Sequence, residues 1–484
     1  MALNDLNYLM PLLVLVGAAT INMLVIAVKR NHKVIYGITL LAHLVALGTL
    51  LPFGSTSYTF DPFFIIDGWG VFNLGLILVT SLFVTMLSYA YFEQREERRE
   101  EYYILLVLAT LGSCVLVISQ HFMALFLGLE VLSVALYSLI AYLRTREHSD
   151  EAGIKYLILA AMSSAFLLFG MALIYADSGA MSFAGISAHL KALTELPLLL
   201  LTGFGLMVVG FGFKLGVVPF HMWAPDVYEG APAPVTAFIA TVSKGGMMAL
   251  LIRFFAQVNG YRYSDLILVF TIIAIASMLA GNLLALRQRN IKRLLAYSSI
   301  AHLGYILVAF LAGNQLGVVA VSFYLVAYFI TSLGAFGVVA LLSDNRRDAD
   351  RLRDYRGLFW RRPATAAIFT AMLLSLAGIP LTAGFVGKFY ILASGVNTNH
   401  WLLVIMLVLN SVIGLYYYIK VIAAMFAQTE PSQKKMRKVL HPAVSFATGA
   451  TMAILTLLLV WIGIYPTTLV QLIRGLLVTV LTTF

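Results

Sequence analysis

The chain carries a single cysteine, Cys114, in 484 residues. That excludes an internal disulfide and any iron–sulfur cluster ligated by cysteines of this chain alone. Charge is scarce as well, with Asp, Glu, Lys and Arg together making 11%. No GxGxxG turn stands between a strand pattern and a helix, which leaves no dinucleotide-binding unit. Period-two alternation is absent, and with it the signature of a transmembrane β-barrel. No basic segment precedes the first apolar run, where Asp5 is the only charge before Lys29. That run therefore reads as a permanent span rather than a cleaved signal.

The chain is instead filled with apolar residues, 61% of the total, at a mean hydropathy of +0.92. A soluble domain of that composition would have a surface of oil. A helix needs about 20 apolar residues to cross the hydrocarbon core. Cut at charged or Gly/Pro-rich breaks, the sequence predicts fourteen such spans, over 6–28, 34–53, 70–92, 102–119, 121–143, 153–176, 197–220, 233–257, 264–286, 294–314, 317–343, 364–393, 401–427 and 443–464. The expected fold is an all-α polytopic membrane protein, since helices satisfy their own backbone in lipid. Residues 465–484, with Arg474, either lie flat at the interface or form a short fifteenth span.

With the N-terminus outside, the cytoplasmic loops hold 24 Lys and Arg, and the opposite side holds only Lys191, Arg253, Arg262 and Arg474. This is a strong positive-inside asymmetry. The net charge of +10 is thus mostly topogenic, and no nucleic-acid partner is expected. Four basic residues remain inside spans: Lys214, Lys244, Lys388 and Lys420. Of 22 acidic residues, only Glu130 falls deep inside one, Asp265 being the second residue of its span.

Glu130, in FLGLEVLSVAL of span 5, and Lys244, in IATVSKGGMM of span 8, each lie near mid-span. About ten residues, roughly 15 Å of helix, separate each from either end. Two plain explanations compete with a functional one. Snorkelling, with the amine reaching the interface along its stem, suits Lys420, seven residues from the inner end of span 13. It strains for Lys244. A structural ion pair would join Glu130 to Lys214. The functional reading is an ion path, because ionisable residues inside a membrane mark such paths. Burial and opposite charges move the protonation of Lys and Glu in opposing directions, so a Glu–Lys pair that parts and re-forms releases and captures a proton. Lysine suits this because, unlike arginine, it readily loses its proton when buried.

Two spans look broken. Span 7 ends GFGFKLGVVPFHMWAPD, where Pro219 removes a backbone donor and frees the Leu215 carbonyl beside Lys214. Span 12 is interrupted by SLAGIPLTAGFVGKF, with Gly378, Pro380, Gly384 and Gly387 near Lys388. Both carry G-F-x-x-K. Glu130, Lys214 and Lys244 match His302, Lys388 and Lys420 at offsets of 172, 174 and 176, five spans apart. An odd span offset reverses direction through the membrane, so spans 4–8 and 9–13 read as two inverted five-helix repeats. The expected organisation is 1–100 for spans 1–3, 101–260 and 261–430 for the repeats, and 431–484 for span 14 with the terminal segment. His302, on span 10, gains weight from its place in the repeat, and His221, just past Pro219, is a weaker candidate.

The stretches KLGVVPFHMWAPDVYEGAPAPVTAF (214–238), NIKRLLAYSSIAHLGY (290–305) and SLAGIPLTAGFVGKFY (375–390) resemble the antiporter-like membrane subunits of complex I, the proton-pumping NADH:quinone oxidoreductase. The resemblance runs over nearly the whole chain. Lys388 separates it from subunit M, which has a glutamate there, and the length leaves no room for the lateral helix of subunit L. It is most similar to the member nearest the quinone-binding part. The resemblance implies a hydrated polar axis at the membrane midplane through Glu130, Lys214, Lys244, His302 and Lys388, with His221 beside the span 7 break. Uptake from the cytoplasm would lie near Lys214 or Lys244, and release would be controlled near Lys388. Lys420 fits snorkelling as well as membership, and Tyr416, Tyr417 and Tyr418 fit packing as well as lining.

The resemblance further implies a bacterial inner-membrane location, contact with lipid, with subunit M and with the small membrane subunits on the quinone side. NADH, FMN, iron–sulfur clusters and quinone would reside in partner subunits, leaving no redox centre here. Two other classes stay open: a stand-alone Mrp-type cation/proton antiporter, for which one intramembrane carboxylate is a poor cation site, and a structural membrane scaffold.

Overall fold

A computed structural model describes residues 7–53, 57–93, 95, 98–144, 146–428 and 446–481. Among these, thirteen helices are long and apolar enough to cross a membrane. The fourteenth crossing is made by two half-helices, Pro363–Ala377 (span 12a) and Ala383–Asn397 (span 12b). The first residues of span 14, Asp5 and the basic residues at 434–438 lie outside the described residues.

Burial sorts the spans. The apolar windows of span 8 (Ala233–Gln257) and span 10 (Ile291–Leu311) are 100% buried, against 33% for span 1 (Met10–Val28), span 2 (beginning at His32) and span 6 (Glu147–Ser178). Spans 8 and 10 therefore face protein all round. Lipid does not select their side chains, which leaves them free to carry polar groups. Span 11 (Gln315–Leu342) packs beside them, 83% buried. The peripheral spans instead show lipid-facing Leu, Ile, Met and Phe, among them Leu41, Ile158 and Phe169.

Both expected breaks are present, and both are made by glycine. Span 7a (Leu198–Leu215) ends at Gly216, with φ +73, whose N–H donates to the carbonyls of Gly212 and Phe213, while Val217 N–H also reaches Gly212. Span 12a ends at Gly378, with φ +84, whose N–H donates to Leu374 and Ser375, while Ile379 N–H reaches Leu374. This is one C-capping motif used twice, requiring a left-handed residue that glycine adopts without a Cβ penalty. The chain has thus left the helix before Pro219, which is the follower of the break and not its cause.

After the first break, Trp223–Gly230 forms span 7b, in a stretch expected to be loop. The shared G-F-x-x-K does not mark corresponding places. Lys214 precedes its break by two residues, whereas Lys388 follows its own by ten.

A third irregularity left no mark in the sequence reading. Ile239–Ser243 is a π-helical turn inside span 8, ending just before Lys244. Such turns concentrate at functional sites because the extra residue re-aims the side chains that follow. A short antiparallel hairpin, Tyr58–Phe60 with Phe64–Ile66, was likewise not expected. Pro466–Leu481 is a helix packed against spans 3 (Gly68–Glu93) and 11. Ten residues into it, Leu476 still rests on Gly68, the first residue of span 3. The helix therefore runs along that face of the bundle and does not descend across it.

Candidate functional site

The buried polar groups form a row built from spans 5 to 13. At one end Glu130, half-buried on span 5 (Phe122–Ile140), accepts a hydrogen bond from Ser164 of span 6 at 2.6 Å. Ser133, one turn further along span 5, accepts from Lys214 Nζ at 2.8 Å, and Tyr156 OH accepts from it at 3.1 Å. Glu130 makes no ion pair among the described residues, so the expected Glu130–Lys214 pair is not a direct one. A void of about 10 Å³ lies among Ser133, Ser163, Ser164 and Lys214, room for roughly one water.

Lys244, 1% exposed, is delivered inward by the π turn and donates to Ser299 Oγ of span 10 at 2.7 Å. Tyr328 OH donates to the same oxygen at 2.7 Å, and Tyr228 OH lies 3.5 Å away. Ser299 thereby gathers a lysine and two tyrosines from spans 8, 11 and 7b. The span 7 break opens onto this point, since a Cβ at Gly216 would stand 3.6 Å from Lys244 Nζ.

Span 10 continues the row. Ser298 hydrogen-bonds Tyr418 OH of span 13 (Trp401–Phe426). Tyr418 OH also meets His302 Nε2 at 3.0 Å, and His302 Nδ1 meets Tyr324 OH of span 11 at 2.6 Å. Both imidazole nitrogens therefore face hydroxyls, which can donate or accept as the ring requires. Tyr305, one turn beyond His302, presents its ring 5.2 Å from Lys388 Nζ. Its OH accepts from Asn282 of span 9, which accepts in turn from Tyr417. Lys388 itself donates to the carbonyls of Leu376 (3.1 Å) and Ala377 (2.9 Å), the frayed end of span 12a. That contact explains the residue types on both sides: a helix C-terminus has orphan carbonyls, and a cation satisfies them.

The structure thus brings Lys214, Lys244, His302 and Lys388 into one buried row, with Glu130 at its edge. Lys420 is not part of it. It is half-buried and lines a cavity of about 840 Å³ on the face of the basic loops. His221 is buried in the turn between spans 7a and 7b, and its Nδ1 finds no hydrogen-bond partner among the described residues. Tyr416 is 65% exposed on the lipid side. The hydroxyl bridges Ser299, Tyr324 and Tyr328 were missed, although tyrosines four apart on an otherwise apolar span were a signal.

Two further charge clusters were also missed. Arg253, assigned to the outer face, forms a bidentate pair with buried Asp67 at 2.8 Å on both arms. Asp348, in the loop after span 11, meets Lys292 at 2.8 Å, Arg146 at 3.2 Å, Arg95 at 3.6 Å and Tyr91 OH at 2.6 Å. Burial alone would raise its pKa, but the Lys292, Arg146 and Arg95 charges outweigh this and hold the carboxyl well below the usual range. In both clusters each carboxylate is paired with arginine or lysine, and both lie outside the row.

Amines, an imidazole and hydroxyls gathered in this way are groups that can exchange protons. The family model described as NADH:quinone oxidoreductase/Mrp antiporter, transmembrane, matches residues 119–414, a range that holds Glu130, Lys214, Lys244, His302 and Lys388. The chain belongs to that family. It is 50% identical to NADH-quinone oxidoreductase subunit N of Nitrosospira multiformis, over 97% of this chain and 96% of the relative. It is 46% identical to the protein of the same name from Methylococcus capsulatus, over 97% and 95%. Among solved structures, a chain of respiratory complex I from Thermus thermophilus is 31% identical, with a TM-score of 0.81 over 95% of this chain and 98% of that one. A chain of the Mrp complex from Dietzia shares the fold at a TM-score of 0.84 over 99% and 98%, with 20% identity. Subunit N is also the subunit type to which Lys388 and the chain length pointed.

Proposed function

We propose that this chain is the proton-translocating subunit N of a bacterial NADH:quinone oxidoreductase, set in the inner membrane with its basic loops in the cytoplasm. The observation that carries the reading is the row Lys214, Lys244, His302, Lys388, bridged by hydroxyls and centred on spans 8 and 10, whose apolar windows are wholly buried. In this reading the neighbours are subunit M on one side and the small quinone-side membrane subunits on the other. NADH, flavin, iron–sulfur clusters and quinone belong to partners, and this chain moves protons in response to their chemistry.

Each junction has a defined job. Glu130 and Lys214 each bond to a serine, Ser164 and Ser133, rather than to each other, so their mutual charge is tunable without a permanent salt bridge. Ser299 is the exchange point between Lys244 and the tyrosines of the second repeat, and His302 carries the proton onward between Tyr418 and Tyr324. At Lys388 a neutral amine cannot hold two carbonyls as an ammonium does. Proton loss there is therefore linked to the geometry of the span 12 break.

Purification of the tagged full-length protein from native membranes tests the assignment. Co-purification of a multisubunit assembly that oxidises NADH supports it. A small assembly without NADH oxidation, which exchanges sodium for protons in vesicles, would replace it with the Mrp-type antiporter.

A further inference from the structure

A cavity of about 840 Å³ on the basic face lies outside the row. It lies where the turn before span 10, the loop after span 11 and the end of span 13 meet. Its acids are already committed. Glu229 binds Arg293 and Asn290, Asp348 binds Lys292 and Arg146, and Asp350 accepts from Asn290. Four of its cations are not, although Arg347 pairs with Asp354 and Asp350. Arg289, Arg353, Arg356 and Lys420 line it from three separate elements, and none has a side-chain partner among the described residues. Arg146, deeper in, keeps one buried guanidinium nitrogen, Nη2, without a hydrogen bond.

Topogenic arginines need only be on the correct side of the membrane. They have no reason to converge on one hollow with a spare buried donor. We infer that this cavity binds the phosphate group of an anionic phospholipid from the leaflet on the basic face. Guanidinium forks match phosphate oxygens in pairs, and four uncompensated cations exclude a neutral headgroup as the preferred ligand.

Depth favours a lipid over a soluble anion. Span 13 offers Lys420, Ala424 and Ala427 at helical spacing along the cavity wall. At the same level Trp360, 60% exposed, donates its indole N–H to the Phe426 carbonyl, and Phe359 stacks on the Phe426 ring. Exposed indoles anchored in this way sit at headgroup depth, which is where a lipid phosphate lies. The volume is that of a small-ligand pocket, ample for a headgroup whose acyl chains remain outside.

The test uses the full-length protein with its accompanying subunits, reconstituted in nanodiscs of phosphatidylcholine alone or doped with phosphatidylglycerol. Native mass spectrometry after detergent extraction reads the retained lipid. The expected result is a phosphatidylglycerol adduct that survives inorganic phosphate and falls on the order of tenfold in the Arg353→Gln/Lys420→Gln double variant. Arg289→Gln, on a different element, serves as a second variant should the double one fail to fold. Equal retention in variant and wild type would reduce the arginines to topogenic charges. Equal retention of phosphatidylcholine would remove the role of charge, and displacement by inorganic phosphate would make the ligand a soluble anion.

Discussion

The two glycine breaks share one hydrogen-bond pattern but face different surroundings, so the same substitution should act differently at each. Alanine at Gly216 or Gly378 places an L residue at φ +73 or +84, which costs about 1–2 kcal/mol in either case. At Gly216 the added methyl meets only ordinary contacts, Trp223 at 3.5 Å and Lys244 Nζ at 3.6 Å. At Gly378 it would stand 2.9 Å from Lys388 Cδ and 3.1 Å from Nζ. Lysine is flexible enough to yield, and in yielding it leaves the carbonyls of Leu376 and Ala377. A hydrogen bond to a charged group is worth roughly 1.5–3 kcal/mol, so Gly378→Ala carries that loss on top of the strain. Melting of the purified protein in detergent should show both variants destabilised, Gly378→Ala more so. Proton uptake by inverted vesicles should fall sharply in Gly378→Ala and remain near wild type in Gly216→Ala. Equal transport in the two variants would refute the claim that Lys388 and its break act together.

Ser299→Ala removes the acceptor shared by Lys244 and Tyr328, leaving buried donors unpaired at about 1–3 kcal/mol each. Transport should slow while assembly persists, and Ser299→Thr should restore it. Replacing His302 by phenylalanine leaves Tyr324 and Tyr418 without their common partner and should interrupt vesicle acidification between the two repeats. Asp348→Asn leaves Lys292, Arg146 and Arg95 without their counter-charge, a loss of about 3–5 kcal/mol. Because the folded pKa of Asp348 is depressed, its contribution is complete above the ordinary carboxylate value of about 4. It fades as pH falls from there toward the depressed folded value, below which it is lost. Melting curves recorded against pH should show an acid-limb decline in wild type that the Asn variant lacks.

The span count was legible because hydropathy reports length and composition directly, and membrane crossing demands both. The buried lysines were legible for a related reason, since a charge in an apolar run has no cheap place to go. Less of the connection between them could be read. Ser299, Tyr324 and Tyr328 belong to residue types that also occur as ordinary core groups, and only tertiary packing distinguishes a bridge from filler. The π turn before Lys244 arises from packing and left no composition signal. The repeat-based pairing of Lys244 with Lys420 failed physically because position in a sequence offset does not say which way a side chain points. Lys420 faces the cavity, and Tyr418, two residues earlier, reaches His302. Asp67 and Asp348 escaped notice because they flank spans, and loops near a membrane face can still be buried by their neighbours.

The central claim is that the row beginning at Lys214 carries protons. The most direct measurement is the number of protons translocated per NADH oxidised in inverted membrane vesicles bearing Lys214→Ala or Glu130→Ala. Both variants are expected to assemble the complex and to show a lowered ratio. An assembled complex with a normal ratio would contradict the claim.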